Sequence, residues 1–435
     1  MNKELWSLAW PVMLTTGASM SLGTIDMIMV GHLGATSIAA LSVSVTWMYA
    51  AGVFGRNISA GIEPLVSQAS GKEQFKIRAE LYQHMLRLLV IVLIPQMFLY
   101  FFAEQGLLLL GQQPDIASIA GRYCFIWSLA VPAEFLFYYS MRFFQAMEQV
   151  RSATISVFCA NIINIVANYV CIFAWGLGVE GCALATCISS YCMCAIFLWQ
   201  QRRELQLFLS HKYPYSSSLL RRIWTYGWPA GLQVSLEVWG FVLSVLFAGW
   251  LGTQSQAAHG IVLNISSLCF MIPLGLSVAA STLVGKYIGI SGDWKNAIKT
   301  AFVAMMIVES INVAILLFCA PILVGFYSSD VSVNKIAIPL LFLCALFQIF
   351  DGIQVVSLGI LRGMGDVRFP LVFNIVAYWI VGIPLSLWFG FSLGMGVEGI
   401  WTGLAIALAI VSALCLVRIA YWMKKGVQSL YALEK

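Results

Sequence analysis

The sequence predicts an all-α membrane protein with twelve transmembrane helices, in two six-helix lobes related by a pseudo-twofold axis along the membrane normal. Three observations predict it. The 435 residues are 60% hydrophobic and only 10% charged, with a mean hydropathy of +0.88, whereas soluble domains carry about 25% charged residues. The charges leave apolar blocks of the roughly 20 residues a helix needs to cross a bilayer, not the short alternating segments of a β-barrel. The chain also repeats itself. Shifted by 218 positions, Trp10-Pro11 meets Trp228-Pro229, Leu33-Gly34 meets Leu251-Gly252, and Ala39-Ala40 meets Ala257-Ala258.

Taken in order, the apolar blocks place spans at 6–31, 38–66, 85–111, 117–141, 153–175 and 178–200, then at 224–250, 257–288, 297–328, 333–361, 369–390 and 393–423. The N-terminal MNKELWSLAWP has no separate short apolar region with a cleavage site, so the first span is expected to be retained. Positive residues orient the set. Of the 24 Lys and Arg, 21 lie in the tails and even-numbered loops or within a turn of them, Lys72 and Lys435 among them. Both termini are therefore expected in the cytoplasm and the chain in the inner (cell) membrane. The polar stretch around HKYPYSSS divides the chain into an N-lobe at 1–202, a cytoplasmic linker at 203–222 and a C-lobe at 223–435. Two further repeat pairs agree: QAMEQVR (145–151) with RGMGDVR (362–368), and Gly178-Val-Glu-Gly181 with Gly396-Val-Glu-Gly399. Six spans per half is an even number, so the copies share orientation, the parallel-repeat arrangement of some transporters.

Intramembrane polar residues mark candidate sites, because a carboxylate at the bilayer centre costs about 2.5–3.5 kcal/mol on insertion scales. Asp26 interrupts SLGTIDMIMVG in the first span, and Glu237 sits near the middle of the seventh. Asp351 shares nearly one helix face with Gln348 and Gln354, at −3 and +3. The repeat copies some acids and not others: Glu134 falls on Asp351 at a shift of 217, but Asp26 falls on Ser244 and Glu237 on Ser19 at 218. Glu134 follows Pro132, where an unwound turn would free carbonyls. Glu63 lies between Gly61 and Pro64, at a weakened helix end. Asn164 and Asn168 share one face of span 5, and Thr186 lies on span 6; interhelical hydrogen bonding is the simpler account of all three. Glu309 and Asn312 share a face of span 9 and read as a helix-packing pair. Arg56 reads as a counter-charge to one of the acids. Trp239 and Tyr378 are placed to line a cavity for flat cations through cation–π contact.

The net charge of +5 says nothing of nucleic acid, and none is expected as a partner. Eleven Cys lie mostly in apolar runs without zinc-site spacing. There is no Walker A loop, GxSxG, HExxH or aspartate-rich phosphate–metal motif, so no enzyme and no ATP-driven step are expected.

Taken together, DMIMVGHLGATSIAALSV, EPLVSQASG, FFQAMEQVR, NIINIVANYV followed by GVEGCALAT, and GILRGMGDVRFP resemble the multidrug and toxic compound extrusion (MATE) transporters. So does Pro11, fifteen residues before Asp26. The resemblance spans essentially the whole chain. It implies export of diverse, mainly cationic and amphipathic compounds, in exchange for inward H⁺ or Na⁺, by a protein that works as a monomer in the lipid bilayer without a cofactor. Asp26 matches the family's N-lobe acid, and Asn164 and Thr186 its polar partners. Asn168 stands where some prokaryotic members carry an Asp, a departure from a two-acid cation site. Glu237 and Asp351 match the C-lobe acidic pair of a branch that contains both Na⁺- and H⁺-coupled members; they would be the ligands if the ion is Na⁺. The alternative, a flippase or exporter for a lipid-linked or amphipathic metabolite, calls for an Arg- and Lys-rich cavity, and Arg56 is the only clear intramembrane cation.

Overall fold

The computed structural model describes residues 1–71, 75–328 and 330–431. Lys72 and Lys435 of the expected charge pattern lie outside them. The described elements are all helical. The first half holds α1 (Asn2–Gly31), α2 (Ala35–Asn57), α3 (Glu63–Gly71), α4 (Phe75–Phe101), α5 (Ala103–Leu109), α6 (Pro114–Ser128), α7 (Val131–Ala146), α8 (Arg151–Asn168), α9 (Gly178–Gln200) and α10 (Arg202–Ser210). The second holds α11 (Ser217–Trp250), α12 (Thr253–Gly289), α13 (Trp294–Phe318), α14 (Ala320–Tyr327), α15 (Val331–Gly363), α16 (Arg368–Asn374), α17 (Ile383–Leu387) and α18 (Gly396–Lys425). Among the described residues, eleven helical stretches are long and apolar enough to span a membrane, and α6 with α7, bent by 55°, makes a twelfth when the pair is taken as one span. The protein is an integral membrane protein with large hydrophobic side chains along its surface, such as Ile28, Phe98, Ile162, Ile307 and Val417.

Three spans differ from their expected form. Span 3 does not run 85–111: α4 starts at Phe75, because Lys76, Arg78 and Glu80 are ordinary helix formers that continue the helix. Residues 103–109 form the separate α5. Span 9 likewise ends at Phe318, and Pro321 occupies the first turn of a new helix, α14. The two short helices are repeat equivalents and bury the same positions, Ala103 and Leu107 in one, Ala320 and Val324 in the other. Span 4 breaks at Leu129 and Ala130, just ahead of Pro132. Carbonyls at the break find donors on α9: Tyr191 Oη donates to Leu129 O at 3.0 Å and Cys187 Sγ to Ile126 O at 3.2 Å.

The repeat extends to backbone angles. Gly34 and Gly252, which open the second span of each half, have φ of 107° and 108°, a region closed to side-chain-bearing residues without strain. Spans 5 and 11 both end in a π-helical segment, Tyr169–Ala174 and Trp388–Ser392.

Two compact units emerge, and they do not coincide with residues 1–202, 203–222 and 223–435. The C-half unit comprises Met1–Met13, Glu63–Glu73 and Leu232–Lys435; the N-half unit comprises Leu14–Ile62 and Gln74–Gly231. Close packing is the reason. Within the N-half unit the start of α11 lies so near the turn before α3 that a Cβ on Gly61 would stand 2.2 Å from Gly227 N. Within the C-half unit a Cβ on Gly289 would stand 2.3 Å from Gln68 O. The expected linker is partly helical and docked. Phe208 of α10 packs against Tyr82 and Phe143, Gln83 Nε2 donates to His211 O, and Arg87 Nη2 donates to Tyr213 O at 3.0 Å.

Candidate functional site

In the N-half unit, α1, α8 and α9 converge on Asp26, which is only 7% exposed. Asn168, the last residue of α8 before its π-helical turn, donates through Nδ2 to Asp26 Oδ1 at 2.6 Å and to Asn164 Oδ1 at 3.1 Å. Thr186 Oγ1 lies 3.2 Å from Asp26 Oδ2 and 3.0 Å from Cys182 O. The four residues singled out in the sequence thus form one cluster. Neutral dipoles surround the acid, and among the described residues no cation pairs with it. Asn164 Nδ2 and Asn168 Oδ1 are buried without a partner. Asn161, one turn before Asn164, instead binds Ala18 O at 3.0 Å and so fastens α8 to α1.

In the C-half unit the cluster is larger. Glu237 of α11 accepts from Gln354 Nε2 at 3.1 Å, and Tyr378 Oη donates to Gln354 Oε1 at 3.2 Å. Asn374 also lies within reach of the Glu237 carboxyl. Asp351, 3% exposed on α15, has Glu237 and Glu309 as the charged groups acting on it. Gln348, on the same helix face, donates to Ser266 O at 2.8 Å and so holds α15 to α12. Trp239 is half-buried two residues beyond Glu237, and it is Phe241 whose ring stands against Tyr378, 6.4 Å between centroids. Buried acceptor oxygens without a donor recur here: Gln348 Oε1, Asn374 Oδ1 and Glu309 Oε1.

Two other intramembrane acids, Glu134 and Glu63, have fixed partners. Glu134 faces Arg56, 3.9 Å away, and accepts from Ser190 Oγ at 3.3 Å. Arg56 also lies over the Tyr138 ring, 5.0 Å from its centroid. Glu63 pairs with Arg362 at 3.4 Å and accepts from Ser281 Oγ at 3.1 Å, fastening α3 to α12 and α15. The sequence reading missed Asn374 and Ser190 as partners, and the buried His259, which accepts from Trp401 Nε1 at 3.0 Å and faces Ser244. Only the last had a signal, since Ser244 is the repeat equivalent of Asp26. Among the described residues no three His, Cys, Asp or Glu side chains form a metal cluster.

The profile of the MatE family matches the chain twice, over residues 11–170 and 229–388. This chain belongs to the MatE family. The two matches are offset by 218 residues at both ends, 229 − 11 and 388 − 170, which is the shift of the internal repeat. MATE proteins are transporters, not enzymes, and the duplicated half is their unit. Several curated relatives carry the name probable multidrug resistance protein NorM. The one from Mesorhizobium japonicum is 30% identical, over 96% of this chain and 93% of its own. The one from Brucella suis is 31% identical, over 94% and 91%. Among solved structures, the eukaryotic MATE transporter AtDTX14 has the same fold, with a TM-score of 0.88 at 24% identity, covering 97% of this chain and 96% of that one. A multidrug resistance MATE family transporter in an outward-facing conformation superposes with a TM-score of 0.87 at 16% identity, over 97% of each chain.

Proposed function

We propose that this MATE protein is a secondary active antiporter that exports diverse, mainly cationic amphipathic compounds in exchange for H⁺ or Na⁺ by alternating access. One observation carries the reading: Glu237 accepts from the Gln354 amide and Asp351 has Glu237 and Glu309 as its charged neighbours, and among the described residues neither is in an ion pair, whereas Glu63 and Glu134 each face an arginine. An anion in a low-dielectric interior without a fixed counter-charge is expensive. A mobile cation relieves it, and the coupling ion and a cationic drug are two candidates for the same position. Their competition is what exchange requires, and an ion that favours one conformation by a few kcal/mol is enough to drive it. Glu237 and Asp351 are the principal coupling residues and would be the Na⁺ ligands if Na⁺ is the ion. Asp26, with Asn164, Asn168 and Thr186, forms a second acidic position. Gln348, Gln354, Tyr378 and Trp239 supply polar and aromatic lining.

The names of the NorM relatives support drugs as cargo. The charge pattern supports an inner-membrane protein with both termini in the cytoplasm, and a monomer suffices for this scheme. A flippase for an anionic headgroup is less well supported, because Arg56 is engaged by Glu134 and Tyr138.

The test is dye export from proteoliposomes with an imposed pH gradient or an imposed Na⁺ gradient, one at a time. Uphill export under one of them is expected and identifies the ion. Dye movement that only follows its own gradient, whatever the ions do, overturns antiport.

A further inference from the structure

We propose that Glu309 is a third acid of the C-half site, a positioning residue that sets the affinity of Asp351 for the coupling ion; the inference rests on the antiport reading above. The side chain projects from α13 and is 3% exposed. As a helix-packing group it is poorly served. Asn312 Nδ2 reaches Glu309 Oε2 only at 3.5 Å, and Oε1 has no partner, although buried polar atoms are nearly always satisfied.

The place it occupies is shaped for it. A Cβ on Gly352 would stand 2.6 Å from Glu309 Cγ and 2.7 Å from Glu309 Oε1. The carboxyl therefore rests on the bare backbone of α15 at the residue next to Asp351. Glycine inside a membrane helix is unremarkable alone, but here any side chain would push the acid away.

The charged and titratable groups around it come from each packed helix: Asp351 on α15 and Cys269 on α12, with Glu237 on α11 acting on Asp351 in turn. A negative group beside Asp351 deepens the potential that a cation feels there. Removing one charge at about 10 Å in a medium of effective dielectric about 20 changes ion affinity by about tenfold.

The experiment measures ethidium export by full-length protein in proteoliposomes against the concentration of the driving ion. Glu309→Gln is expected to raise the half-saturating ion concentration about tenfold, with export recovering as the ion is raised. Glu309→Asp, which keeps the charge, is expected to restore most of the ion affinity. Gly352→Ala, which keeps every acid but displaces Glu309, is expected to shift the ion dependence in the same direction as Glu309→Gln. Wild-type ion dependence in Glu309→Gln overturns the proposal. If that variant does not give a monodisperse protein, wild-type ion dependence in Gly352→Ala overturns it instead. Wild-type protein without ion-driven export in the same vesicles would instead sink the antiport reading itself.

Discussion

Two kinds of intramembrane acid lie in these helices, and their partners separate them. Glu63 is held by Arg362 and Ser281, so its charge is answered inside the protein. Breaking such a pair from one side leaves an unpaired buried charge, typically a loss of about 3–5 kcal/mol. Arg362→Met is therefore expected to lower the thermal unfolding temperature of the detergent-solubilised protein, and Glu63→Gln in the same chain to recover part of the loss. Failure of the second change to recover any stability would contradict the pairing. Glu237 is bonded only by amides, with Arg362 acting on it as a more distant charge that is itself paired with Glu63. Glu237→Gln is expected to abolish drug resistance in expressing cells while the protein still reaches the membrane fraction; undiminished resistance would remove Glu237 from the coupling scheme. These individual acids were legible in the sequence because a carboxylate in an apolar run is conspicuous. Their partners were not. Glu309 read as a packing partner of Asn312, since spacing along one helix says nothing of Gly352 on another.

At the level of the helix, hydropathy located the spans and misjudged their ends. Ala320–Tyr327 is as apolar as the helix before it, so the break after Phe318 left no hydropathy signal and only Pro321 marked it. The bend in span 4 was better announced, because Pro132 stands at the first turn after it. The start of α4 was hidden for the opposite reason: its charged first turns look like loop until they are seen to be helical. Gly34 and Gly252 show what the repeat preserves at this scale. With φ near 107° at both, alanine there is expected to destabilise the protein by about 1 kcal/mol or more through backbone strain. Thermal unfolding of Gly252→Ala and of a control at Gly260, which has no positive φ and open space around it, measures this; equal losses in the two would mean that the turn geometry is not limiting.

For the whole molecule, a duplication supplies two similar frames, and substitution has made their chemistry unequal. The N-half unit holds Asp26, without an ion pair among the described residues, within a ring of amide and hydroxyl groups. Its repeat position in the C-half is Ser244, bound up with His259, while Glu237 stands two turns away along the repeat and acts on Asp351 as a like charge. The number of spans and the repeat could be read from residues alone. The composition of the compact units could not, because the close approaches at Gly61 and Gly289 depend on backbone separations that no sequence pattern encodes. In the proposed scheme Glu237 and Asp351, neither of them in an ion pair among the described residues, convert an ion gradient into export. Reconstituting wild-type protein beside a Glu237→Gln, Asp351→Asn variant and following a cationic dye against its own concentration gradient tests it most directly. Imposing the driving ion gradient should move dye uphill in wild-type vesicles and not in the variant. Equal uphill movement in both would mean that these two acids do not couple the ion to export.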